Sequence, residues 1–212
     1  MDVQAFQARL PQAFDAFPGG QALDPRFADV LEAVPGLAAV NNLALLNVAA
    51  SLLEPGESYV EIGTFRGTSL IAAMLANDAD FVAIDDFSMG RGSRDALDEN
   101  LTRFGLKGRP TILEGNAFEL LRGGALTGRA VGVYYYDASH DYDSQVAGLR
   151  LVEPYLAEPA LLIVDDSDWE AVGRATRDYL AGQPRARLLF DIAGKSHGQP
   201  DWWEGVHVLA WE

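Results

Sequence analysis

The sequence predicts an α/β protein built on one seven-stranded, mostly parallel sheet, with helices on both faces and extra helices at the N-terminal end. Three observations lead there. From Ser58 onward, short β-rich runs alternate five times with helical runs. Those strands are apolar throughout rather than alternating, as in a parallel sheet covered on both sides. The last two strands have no helix between them, so they pair antiparallel.

Residues 1–54 read as a helical extension. Val3, Phe6, Leu10, Phe14 and Phe17 recur at helical spacing, broken at Pro11, and "FADVLEAV" and Leu43 to Leu53 continue the pattern. Pro55-Gly56 punctuates the chain. The core, residues 57–212, then runs "SYVEIG" (strand), "SLIAAMLA" (helix), "FVAIDDF" (strand) and "SRDALDENLTRF" (helix). "PTILEGN" is the third strand, with a short helix after it. "VGVYYYD" is the fourth, with a helix from Tyr142 to Leu156. "ALLIVDD" is the fifth, with a helix from Trp169 to Ala181. "RARLLFDIAG" and "GVHVLAWE" close the sheet. No repeat or low-complexity linker divides the 212 residues, which suit a single domain.

Composition narrows the function. The formal net charge is −15, and no compact basic patch offsets it, which disfavours nucleic acid and anionic membrane surfaces as partners. There is no cysteine, which removes disulfides and thiolate metal sites and fits a reducing, cytoplasmic setting. The segment "MDVQAFQARL" lacks the basic start of a signal peptide. "LAAVNNLALLNVAASLL" is too polar and too short for a bilayer span. A small-molecule partner is expected, and a homo-oligomer is compatible with all of this.

Acids mark the strand ends. Glu61 lies near the end of the first strand, and Asp85, Asp137 and Asp165 end the second, fourth and fifth. Ligands of open α/β sheets bind outside the carboxyl ends of the strands, so these residues converge on one edge. "YVEIGTFRGTS" sets Gly63 and Gly67 between the first strand and its helix. That spacing is neither the dinucleotide fingerprint nor a phosphate-binding P-loop.

This E-x-G-x-x-x-G-x-S run, followed by an acid ending the next strand, resembles the class I S-adenosylmethionine-dependent methyltransferases. The likeness is to the small-molecule O-methyltransferases, both catechol O-methyltransferase and bacterial antibiotic- and sugar-modifying relatives, and it covers about residues 57–212. It implies a Rossmann-like fold whose last strand is inserted antiparallel. It implies that Gly63 and Gly67 carry the loop under the methionine part of S-adenosylmethionine. Glu61 would order that loop and the amino group, and Ser69 would help hold the carboxylate. Asp85 would accept from the ribose hydroxyls. Asn116 would meet the adenine amino group, with Ala117 and Phe118 beside the ring.

The resemblance also gives a reading of "VYYYDASHDY". Asp137, with Asp165 and Asp166 on the next strand, would hold a divalent cation, Mg²⁺ by its preference for oxygen donors. His140 takes the place of the family's lysine base, and an imidazole can accept a proton near neutral pH. Tyr134 to Tyr136 read as core. His207 reads as structural, the role of His197 stays open, and at least one of Trp202 and Trp203 is expected at the acceptor cleft. Two other functions remain open: metal-independent transfer with His140 alone as base, and a non-catalytic cofactor-binding module. A nicotinamide oxidoreductase is disfavoured by the missing fingerprint.

Overall fold

The structure is a computed structural model that describes residues 1–90 and 92–212. Seven strands form one sheet in the order β3-β2-β1-β4-β5-β7-β6. They are β1 (Glu57–Ile62), β2 (Asp80–Asp85), β3 (Thr111–Glu114), β4 (Ala130–Tyr136), β5 (Leu156–Asp165), β6 (Ala186–Ile192) and β7 (Val206–Trp211). β7 runs antiparallel to both β5 and β6, and the other pairings are parallel. The expected inserted last strand is therefore present.

Eight α-helices accompany the sheet among the described residues. They are α1 (Val3–Arg9), α2 (Arg26–Ala33), α3 (Val40–Ala50), α4 (Thr68–Met74), α5 (Arg94–Arg103), α6 (Ala117–Arg122), α7 (Tyr142–Val152) and α8 (Glu170–Gly182). Alternation along each strand divides the core. Tyr59, Phe81, Val133, Tyr135 and Ile163 face one side, with the N-terminal helices and α4. Val60, Ile84, Tyr134, Tyr136 and Leu162 face the other, with residues of α6, α7 and α8. Successive strand side chains point to opposite faces, so the uniform apolar runs fill both layers at once.

Two expected helices end early. The helix does not run on to Phe14 and Phe17. It ends at Arg9, and a 3₁₀ turn carries Pro11, whose ring cannot continue an α-helix. Phe14 instead bridges to Ala22 and stacks on Trp202, with ring centroids 5.7 Å apart. The helix after β4 also stops early, at Val152, with Pro154 in the 3₁₀ turn that follows.

What matters for the site is where the strands stop. β1, β2, β4 and β5 end at one edge of the sheet, in register across Ile62–Ile84, Ile62–Tyr136 and Tyr136–Val164. The chain leaves each of them in a turn that carries polar side chains.

Candidate functional site

Three backbone features open the edge above β1. Gly63 has φ +89, and a Cβ on it would overlap the carbonyl oxygen of Asp137, so only glycine lets β1 end against β4 here. Gly67 has φ +88 and starts α4 beneath Leu97. Asp85 then fixes the loop from the side. Its Oδ2 accepts from the Phe65 amide at 2.6 Å and its Oδ1 from the Phe87 amide at 2.6 Å. Both phenylalanines have φ 51, the left-handed conformation that a bulky side chain avoids unless its surroundings hold it.

A cavity of about 620 Å³ runs along this edge. Beyond the end of β1 it is lined by Gly63, Thr64 and Ser69, and at the end of the neighbouring β2 by Asp85. Gly115, Asn116, Ala117 and Phe118 line a further stretch, and Asp137, Ala138, His140 and Asp166 another. Asn116 caps α6, accepting from the Glu119 amide at 3.1 Å, which leaves its amide group free to donate. These surfaces suit an elongated ligand with a sugar-like diol at Asp85 and a flat group at Phe118. The cavity size lies in the ordinary range for cofactor sites.

Glu61 is fully buried and does not line the cavity. It accepts from Tyr59 Oη at 2.9 Å and Thr64 Oγ1 at 3.0 Å. It orders the glycine loop from below, and the loop stands between it and the cavity. Burial raises its carboxyl to about 7.

The acids at the ends of β4 and β5 separate into two tiers. Asp137, His140 and Asp166 bring their ligand atoms within 4.8 Å of one another. His140 Nε2 lies 2.7 Å from Asp166 Oδ2, at ion-pair distance though tilted off a straight hydrogen bond. The contact to Asp166 raises the imidazole above its ordinary value despite partial burial. Asp166 Oδ1 is buried with no hydrogen-bond partner, and Asp166 itself has φ 56.

Asp165 sits one tier lower, buried and off the cavity wall. Its Oδ1 accepts from Asn42 Nδ2 at 3.2 Å and its Oδ2 from Tyr135 Oη at 2.6 Å. The expected set of three aspartates is thus not what comes together: His140 stands third beside Asp137 and Asp166. The reason is alternation. Asp165 is the last residue of β5 and its side chain points into the core face, whereas Asp166 turns out of the strand.

The electrostatics call for a positive charge. Burial pushes Asp137 well above the carboxylate range, and the charges of Asp165, Asp166 and Glu61 push it further. Burial, then the neighbouring Asp166, raises Asp165 to about 7. No lysine or arginine lines the cavity among the described residues. Two carboxylates, one of them with an unpaired buried oxygen, fit a divalent cation, with Asp137 and Asp166 as oxygen donors and His140 at the margin.

Sequence reasoning passed over two residues. Tyr135, read as core, does pack in the core, but its hydroxyl also donates to Asp165 and lies 3.2 Å from Asp137 Oδ2. Its position two residues before Asp137 on a strand, hence on the same face, was the available signal. Asn42, on α3, gave none. Its partners are distant in sequence: Asp165, and the Trp203 amide, which donates to Asn42 Oδ1 at 3.0 Å.

The tryptophan pair divides. Trp202 is fully buried against Phe14 and Phe17 and donates to the Pro18 carbonyl at 2.8 Å. Trp203 lines the cavity. His207 is buried in β7, 3.3 Å from Asp191, and burial lowers its imidazole. His197 pairs with Asp168 at 2.8 Å in the loop before β7. Asp141, the second acid of the stretch after β4, caps α7 by accepting from the Ser144 amide.

A parallel sheet with its last strand reversed, and a glycine loop facing an acid at the end of β2, define the class: an open α/β protein with a cleft at the sheet's carboxyl edge. Comparison with known proteins gives the family. The sequence model of a methyltransferase domain matches residues 60–167, just over half of the chain, and the chain belongs to that family.

Solved structures share the fold. The O-methyltransferase TomG from Streptomyces achromogenes, which is involved in tomaymycin synthesis and was solved in complex with SAM, is 18% identical with a TM-score of 0.67. The alignment covers 100% of this chain and 98% of that one. An O-methyltransferase from Bacillus cereus, in complex with SAH, is 15% identical with a TM-score of 0.66, covering 98% of this chain and 97% of that one. The TDP-rhamnose 3′-O-methyltransferase of calicheamicin biosynthesis is 18% identical with a TM-score of 0.55, covering 98% and 94%. No curated protein matches the chain. No helix among the described residues is long and apolar enough to cross a membrane.

Proposed function

We propose that the protein transfers a methyl group from S-adenosylmethionine to a hydroxyl oxygen of a small acceptor, with a divalent cation at Asp137 and Asp166. The observation that carries the reading is the joining of two sites in one cavity: the loop braced by Asp85, and the Asp137–His140–Asp166 cluster.

Asp85 holds the loop in shape and keeps further lone pairs for the ribose diol, since a carboxylate accepts at about four positions. Gly63 and Gly67 keep the loop free of side chains where the methionine portion would lie. Asn116, Ala117 and Phe118 would flank the adenine. The cofactor would supply a methyl group on a sulfonium, and a cation would supply Lewis acidity that lowers the acceptor hydroxyl's pKa.

The chain's own part in the chemistry is to fix geometry and to move one proton. His140 Nε2 faces Asp166, so the nitrogen left basic in the neutral ring is Nδ1. That nitrogen would take the acceptor proton, and Asp166 Oδ2 would stabilise the imidazolium that forms. Asp165 would hold its shape from below through Tyr135 and Asn42, supporting the cation site without entering it.

The second reading, metal-free transfer, is favoured by the same 2.7 Å contact, because a carboxylate–imidazole pair is a general base on its own. The experiment that separates them measures methyl transfer from labelled S-adenosylmethionine across a panel of hydroxylated acceptors, with chelator-treated enzyme and after Mg²⁺ is restored. Loss and recovery of turnover support the cation. Full turnover in chelator leaves His140–Asp166 alone.

A further inference from the structure

We propose that Tyr136 and Gln145 are positioning residues, which fix His140 at the cleft by gripping the backbone of the turn that carries it. The inference rests on the reading of His140 as the base and goes beyond it, to what holds that base in place.

The turn between β4 and α7 has little of its own to hold it. Asp137 is still tied to the sheet, its amide donating to the Ile62 carbonyl at 2.9 Å. The helical ladder starts only where the Gln145 amide donates to the Asp141 carbonyl at 3.1 Å. Between them, Ala138, Ser139 and His140 make no backbone–backbone hydrogen bond among the described residues. Ala138 packs against the core layer that includes α7 and α8.

Two buried side chains supply what the backbone lacks. The Tyr136 hydroxyl donates to the Ser139 carbonyl at 3.2 Å, and Gln145 Nε2 donates to the same oxygen at 3.4 Å. They reach one acceptor from two elements, the end of β4 and the first turn of α7. The helix is shaped for this. Gly148 lies against the Tyr136 ring, which a Cβ there would overlap, and the Gly148 carbonyl accepts from Tyr134 Oη at 3.0 Å. A side chain at 148 would push Tyr136 off the turn.

Stability alone does not favour a glutamine at 145. The residue is fully buried, and its Oε1 has no hydrogen-bond partner. An orphaned buried oxygen is a penalty that leucine or methionine would not carry. What the amide gives in return is its bond to Ser139.

His140 follows directly. Its Nε2 lies 2.7 Å from Asp166 Oδ2, and its ring centre 4.9 Å from that of Trp169. Neither contact holds the backbone, so the ring goes where the turn goes. A misplacement of about 1 Å can cost roughly 10²-fold in rate.

The test compares wild type with Gln145→Met, which keeps the volume and removes the donor, with Tyr136→Phe, and with the two together. Labelling with fluorotryptophan gives Trp169, Trp202, Trp203 and Trp211 separate fluorine resonances, assigned by replacing each with Phe, and this readout needs no acceptor. The Trp169 resonance should move toward its position in His140→Ala, further in the double variant than in either single one. Trp202, Trp211 and the affinity for SAH should stay as in wild type. With an acceptor that is turned over, kcat should fall about two- to tenfold for each lost bond, the worth of one neutral hydrogen bond, with KM unchanged. A Trp169 resonance that keeps its wild-type position in the variants, or that ignores His140→Ala itself, overturns the proposal. So does an unchanged kcat when Trp169 moves, and so does a joint shift of Trp202 and Trp211, which would make both side chains merely structural. Gln145→Met decides alone if the other variants do not fold. If wild type methylates no acceptor while Trp169 moves as expected, the methyl-transfer reading fails and the grip on the turn stands.

Discussion

The phenolic oxygen of Tyr135 stands 2.6 Å from Oδ2 of Asp165, inside the sheet and beneath the cleft. The same hydroxyl reaches Asp137 Oδ2 at 3.2 Å, so one donor serves two acids that repel each other. Its hydrogen bonds pull both carboxyls down against burial. Tyr135→Phe should therefore raise the pH at which a cation binds and cost about 1–3 kcal/mol of stability, the penalty for orphaning buried acceptors. Cation titrations at several pH values, with urea melts alongside, read both effects. An unchanged pH profile would count against the coupling.

The buried acids give the ligand-free protein a direction of pH dependence. Glu61 and Asp165 are both raised to about 7 in the folded chain, from values of 4.5 and 3.8. Between those limits the folded chain holds protons that the unfolded chain has released. Their contribution to stability is present in full below the unfolded values and is lost as pH rises through about 7. The urea midpoint of cation-free protein should fall between pH 5 and pH 8. Glu61→Gln should flatten that fall, and a slope identical to wild type would remove Glu61 from the account.

Gly63→Ala tests the loop. The residue has φ +89 and no room for a Cβ beside the Asp137 carbonyl. A strained left-handed residue costs about 1–3 kcal/mol, and the clash adds to it. The variant should melt lower and bind S-adenosylmethionine more weakly. Wild-type melting with wild-type affinity would contradict the geometry.

His140→Ala should leave cation binding within a few-fold of wild type and cut methyl transfer by about 10²–10⁴, the usual contribution of a general base. In the wild type the rate should climb with pH through the imidazole's titration. That titration lies above the ordinary value because of Asp166. Full activity in the variant would assign proton removal to the cation and its ligands alone.

Most of the fold was legible because its signals are local. Five apolar runs, each followed by a helical run, and two runs with none between them give the strand order little freedom. The acids at strand ends were legible too, since parallel strands all deliver their last residues to one edge. Two kinds of feature were not. Tyr135 looked like core because it is core, and only its side of the sheet relates it to Asp137. Asn42 reaches Asp165 and Trp203 across more than half the chain, and nothing in the composition of α3 marks it. The exchange of Asp165 for His140 in the upper tier turned on one residue of alternation at the end of β5.

The cofactor can be tested without knowing the acceptor, and calorimetric titration of S-adenosylmethionine into wild type and Asp85→Ala does so most directly. Asp85 braces the loop through the Phe65 and Phe87 amides and faces the cavity where the ribose diol would lie. Saturable one-site binding to wild type is predicted, weakened in the variant by roughly 1.5–3 kcal/mol, the range for hydrogen bonds to a charged group. No binding heat with S-adenosylmethionine, together with saturable binding of a nicotinamide dinucleotide, would contradict the account.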